Sequence, residues 1–141
     1  NKMTKLLLVV ANYYPDISKK LLDSSLLTVN TKSSSNTLHD YDVSIINAPG
    51  VFEIPVIIAK NINNFDAFIA LGCVIKGDTP HFELISRAFT DGIMKLSIEH
   101  KKPIGNGVLT CLNKDQALTR IDKGIEATNA VLQVLKNEIT R

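Results

Sequence analysis

The sequence predicts a three-layer αβα sandwich, with helices on both faces of a four-stranded parallel sheet. Two observations carry this expectation. Apolar runs of strand length alternate four times with segments of helical period, without a low-complexity linker between them. The strand-like runs are rich in Val, Ile and Leu, as parallel strands covered on both faces should be. A chain of 141 residues then forms one domain over 1–141, long enough to bury roughly two-thirds of the surface its unfolded form exposes.

The first strand is read over Lys5 to Ala11 and the first helix over about Pro15 to Thr28, with Ile17, Leu21, Leu22 and Leu26 toward the core. The serine-rich stretch Lys32 to Asn36 is expected to be an exposed loop. A second strand, about Tyr41 to Ala48, leads through the tight turn of Pro49-Gly50 into a helix from about Glu53 to Asn63, where Ile54, Ile57, Ile58 and Ile62 share a face. The third strand spans Asp66 to Ile75. Thr79 and Pro80 then read as N-cap and first helical position of a helix whose stripe is Phe82, Ile85, Phe89, Ile93 and Leu96. The fourth strand runs from Ile104 to Leu112. Asn113, with Gln116 three positions on, opens a short helix through Ile121. The last helix follows Gly124 to about Ile139, and its Ile125, Leu132, Leu135 and Ile139 suit packing on the sheet or on a neighbouring chain. With right-handed crossovers these elements give a flavodoxin-like topology.

Composition narrows the function classes. Sixteen basic and fourteen acidic residues are scattered together for a net charge of +2, which lacks the basic patch of a nucleic-acid binder. The longest N-terminal apolar stretch, Leu6 to Ala11, is too short for a membrane span or a signal-peptide core, so a cytoplasmic protein is expected. Cys73 and Cys111 fall inside strands without CxxC or Cys/His spacing. They read as buried thiols in a reducing compartment, not as a disulfide or metal site.

In open parallel sheets ligands bind outside the carboxyl ends of the strands, so the loops after strands one, two and three should converge. The first, Asn12-Tyr13-Tyr14-Pro15, offers aromatic rings on which a planar ligand can stack. Pro49 to Glu53 turns backbone amides into the crevice, although Glu53 could simply complement the dipole of its helix. The third, Lys76 to Pro80, ends at a helix start, where unpaired N–H groups favour an anion, and His81 falls in the first turn. Alone, His81 would pass for an exposed polar residue. The sequence has no GxxxxGK[ST], GxGxxG or GxSxG segment, and strand one ends in Asn12-Tyr13 where a receiver domain would need an acidic cluster.

Four segments in order, PGVFEIP (Pro49 to Pro55), ALGCVIKGDTPHF (Ala70 to Phe82), PIGNGVLT (Pro103 to Thr110) and DQALTR with KGIEA (Asp115 to Ala127), make the chain resemble the lumazine synthases. The likeness covers nearly its whole length. It implies a transferase of riboflavin biosynthesis that condenses 5-amino-6-(D-ribitylamino)uracil with 3,4-dihydroxy-2-butanone 4-phosphate, without metal or organic cofactor. By the resemblance, the pyrimidine meets Tyr13, Val51, Phe52, Glu53, Cys73, Val74, Ile75 and a neighbour's Asn106. The phosphate meets Gly77, Asp78 and Thr79, with Arg120 as a bidentate clamp and Lys123 as a further charge. His81 is the proton-transfer residue.

Asn106 lies near the start of strand four, at the opposite end of the sheet from the other loops, so one subunit cannot bring it to the site. The resemblance implies a homopentamer in which an adjacent chain supplies the Asn106 position and Arg120. Several positions depart from the family. Asn12-Tyr13-Tyr14 stands where Arg-Phe-Asn is usual, Lys76 replaces an arginine, Asn106 replaces a phenylalanine, and the stretch from Arg120 to Lys123 is shortened. The shortening and the little sequence before strand one favour an isolated pentamer over an icosahedral shell. The competing expectations are a non-catalytic flavin- or lumazine-binding module of the same fold and a purely structural pentamer.

Overall fold

In the computed structural model, which describes residues 3–35 and 41–137, the first strand, β1 (Thr4–Ala11), is central and buried on both faces. Its side chains divide with the period of two that a strand imposes. Leu6, Leu8 and Val10 enter one core, while Leu7, Val9 and Ala11 enter the other. β2 (Tyr41–Ala48), β3 (Ala67–Ile75) and β4 (Ile104–Cys111) complete a parallel sheet in the order β2-β1-β3-β4. The four-stranded parallel α/β expectation is met.

Helices α1 (Pro15–Ser35) and α5 (Lys123–Lys136) cover one face; α2 (Ile54–Lys60) and α3 (His81–His100) cover the other. α5 lies close on β4 because Gly105 has no side chain. A Cβ there would stand 2.7 Å from the Ala127 carbonyl oxygen. α5 also lies close on α1, where a buried Ser25–Thr128 hydroxyl pair at 2.6 Å satisfies both polar groups.

Several boundaries differ from the sequence reading. α1 runs to Ser35 and not to Thr28, so Lys32 to Ser35 continue the helix where a loop was expected; Asn36 lies outside the described residues. Buried Val29 extends the apolar stripe by a turn, and the Thr28 and Thr31 hydroxyls donate to carbonyls four residues back. α2 is shorter than expected because residues 51–53 form a 3₁₀ turn before it and Asn61 ends it, its side-chain amide donating to the Ile57 carbonyl. The N-cap of α3 is Pro80, one position later than expected, while the Thr79 hydroxyl accepts the His81 N–H at 3.4 Å. Asn113 caps α4 (Lys114–Leu118), accepting the Gln116 N–H, but the helix ends at Leu118 and not Ile121. α5 begins just ahead of Gly124, and Ile139 is outside the described residues. The outer strands β2 and β4 are also only partly covered, with Ile45, Asn106 and Thr110 exposed, because each lies at a sheet edge.

Candidate active site

The strand order reverses between β1 and β3, and the loops leaving the carboxyl ends of β1, β2 and β3 meet there around a cavity of about 380 Å³. Three ties fix these loops. The Asn12 N–H donates to the Ala48 carbonyl and its side-chain amide to Asn47 Oδ1 at 2.9 Å, joining the first loop to the second. Val51 is buried against the β3 end, where a Cβ on Gly72 would come within 3.3 Å of its Cγ2. The Lys76 N–H donates to the Cys111 carbonyl, holding the third loop to β4.

Tyr13, Val51, Phe52, Glu53, Cys73, Val74, Ile75 and His81 all line this one cavity. Tyr13 and Phe52 are 72% and 57% exposed, so two aromatic rings are open to solvent at its rim. The Glu53 carboxylate reaches back toward Gly50, close enough that a Cβ there would approach Oε1 to 3.1 Å. Cys73 is buried, and burial with the neighbouring Cys111 thiol pushes its pKa up to about 12, so it stays a neutral thiol. Gly77, Asp78 and Thr79 are exposed between β3 and α3. The space beside Gly77 is open, with nothing within 4 Å of where a Cβ would sit.

Arg120, Lys123 and Asn106 do not line that cavity. Arg120 and Lys123 face Thr110 in a second hollow of about 320 Å³ at the β4 edge. A third hollow, of about 450 Å³, joins Lys123 and Thr110 to Asn106. Asn106 pairs with Ala70 in the sheet, five residues below Ile75, a separation of ~16 Å along the strand. Its Oδ1 accepts the Val108 N–H at 3.1 Å, which leaves the side-chain N–H groups free to donate outward. Gly77, Asp78 and Thr79 line none of these three hollows, and the other expected residues fall into two halves on one chain. Tyr14, Gly50 and Ile85 also line the first cavity, and Thr110 lies in the second half. The sequence signal for Ile85 was hidden because its place in the α3 stripe reads as core.

The family model for 6,7-dimethyl-8-ribityllumazine synthase matches residues 3–138. The chain belongs to that family. It is 35% identical over 145 residues to the 6,7-dimethyl-8-ribityllumazine synthase of Renibacterium salmoninarum, an alignment covering 94% of this chain and 87% of that one. Against the enzyme of the same name from Corynebacterium kroppenstedtii the identity is 36%, with 92% and 84% covered. For that of an Arthrobacter species it is 38%, with 91% and 80% covered. Membership is thus a property of nearly the whole chain, including both halves of the site. Among the described residues no helix is long and apolar enough to cross a membrane.

Proposed function

We propose that this protein condenses 5-amino-6-(D-ribitylamino)uracil with 3,4-dihydroxy-2-butanone 4-phosphate, giving 6,7-dimethyl-8-ribityllumazine, phosphate and water. The observation that carries the reading is the convergence of eight site residues on one cavity at the sheet's switch point, in a chain of this family. The pyrimidine stacks on Tyr13 between the second loop and the β3 end, where Val51, Phe52, Glu53 and the backbone of Cys73 to Ile75 supply its contacts. The phosphate sits in the open space at Gly77, Asp78 and Thr79 before α3, with the Asp78 carboxylate turned away from it.

The pyrimidine amine attacks the ketone and the adduct loses a first water to give an imine; phosphate then leaves, and the ribitylamino nitrogen attacks the carbonyl that results, closing the ring with loss of a second water. Each step moves a proton, and the exposed His81 imidazole on the cavity wall is the group that relays it. Holding two substrates together in one orientation accounts for much of the remaining acceleration. Arg120, Lys123 and the outward N–H groups of Asn106 reach this cavity from the adjacent chain of a homopentamer, closing on the phosphate and the pyrimidine edge. Two buried free thiols suit the reducing cytoplasm, which is the proposed location.

The direct test mixes both substrates with the purified protein and follows lumazine fluorescence. A signal growing with time and with enzyme concentration is the expected result. A protein that binds added lumazine without forming it is a binding module, and that outcome overturns the catalytic reading.

A further inference from the structure

We propose that Tyr14 is a specificity-determining residue of this site, its ring holding Tyr13 in the stacking orientation and its hydroxyl donating a hydrogen bond to the pyrimidine-type ligand. The inference rests on the proposed reaction for the ligand's identity, but on the geometry of the first loop for the residue.

Tyr13 is 72% exposed, too free to present a defined stacking face by itself. Its ring partner is Tyr14, with centroids 5.0 Å apart and planes at 81°, an edge-to-face contact that restricts the exposed ring. Tyr14 is itself well anchored. It is half-buried against the core under α1, its carbonyl accepts the Ser18 N–H at 2.9 Å, and the Asp16–Lys114 ion pair at 2.9 Å fixes the start of α1 beside α4. An exposed ring is therefore positioned by a half-buried one.

The Tyr14 hydroxyl has no hydrogen-bond partner among the described residues, although the residue lines the cavity. Cys73, whose backbone belongs to the proposed pyrimidine contact, is among its electrostatic neighbours, as is Lys114. Burial holds the phenol above its ordinary pKa, so the hydroxyl keeps its proton and acts as a donor at neutral pH. An unpaired donor on a residue that lines the cavity favours ligands that carry an acceptor there.

The test compares Tyr14→Phe and Tyr14→Leu with the native protein in two measurements: equilibrium binding of 6,7-dimethyl-8-ribityllumazine by its own fluorescence, and steady-state kinetics with each substrate varied. Loss of one neutral hydrogen bond in Tyr14→Phe should weaken lumazine binding about fivefold and raise KM for the pyrimidine in step. KM for the ketone phosphate should stay within about twofold, because the proposed phosphate position at Gly77 to Thr79 is outside the cavity lining to which Tyr14 belongs. Tyr14→Leu should weaken binding by a further several-fold as Tyr13 loses its ring partner. Unchanged lumazine binding in Tyr14→Phe overturns the proposal, and so does an equal rise in both KM values together with a lowered melting temperature. If the native protein binds lumazine without turnover, the proposed reaction fails and the binding comparison alone decides the role of Tyr14. If it neither binds nor turns over, both readings fall.

Discussion

His81 stands at the start of α3 with its side chain exposed on the cavity wall, so its removal tests chemistry with little structural disturbance. His81→Ala should lower kcat about 100-fold with a smaller change in KM, and leave the melting temperature unchanged. The remaining rate reflects substrates still held in place. Full activity in this variant would remove His81 from the mechanism. Cys73 gives a prediction in pH. Its thiol ionises near 9.0 when unperturbed but is pushed up to about 12 in the fold, so the folded state keeps a proton that the unfolded chain releases. Stability is then fully present below about pH 9 and is lost progressively as the pH rises toward 12. Urea midpoints measured from pH 8 to 10.5 should fall more steeply for the native protein than for Cys73→Ala. Parallel slopes would assign the alkaline loss to other groups.

At the scale of elements, the close approach of α1 and α5 depends on Gly124, where a Cβ would lie 2.6 Å from Ser24 Oγ and 2.8 Å from the Leu21 carbonyl oxygen. Backbone cannot yield as a side chain can. Gly124→Ala should therefore cost about 1–3 kcal/mol in urea unfolding, while Gly77→Ala, with open space around it, stays within about 0.5 kcal/mol of the native protein. Equal stabilities would mean that α1 and α5 can separate freely. The sheet is legible in the sequence because β1 and β3 are continuous apolar runs, while β2 and β4 carry enough Val, Ile and Leu between turn residues to read as strands. Where side chains and not periodicity decide an end, the reading slipped. The α1 stripe continues through a single buried valine among polar residues, Val29, and the start of α2 is displaced by the 3₁₀ turn that seats Val51 on β3. The first half of the site was legible because each loop follows a recognisable strand. Tyr14 was harder to weigh, since one residue's burial and free hydroxyl are properties of the folded loop and not of the tyrosine pair in sequence.

At the scale of the whole molecule, the division of the site into two halves makes a prediction that no single chain can satisfy. His81 belongs to the cavity at the strand ends, Arg120 to the hollow at the β4 edge, and the two share no lining residue. If adjacent subunits of a ring complete each other's sites, a chain carrying Arg120→Ala still offers an intact His81 half, and a chain carrying His81→Ala still offers an intact Arg120 half. Random assembly of equal amounts places the two intact halves together at about one site in four, since each half is intact with a probability of about one-half. Co-refolding the two variants should therefore restore roughly a quarter of native lumazine-forming activity, well above the mean of the variants assembled separately. Folded but separate homo-oligomers, mixed without refolding, should show no such gain unless subunits exchange. Activity in the co-refolded mixture equal to that mean, with mixed rings present by native mass spectrometry, would place His81 and Arg120 in the same subunit's site and remove the need for a neighbour.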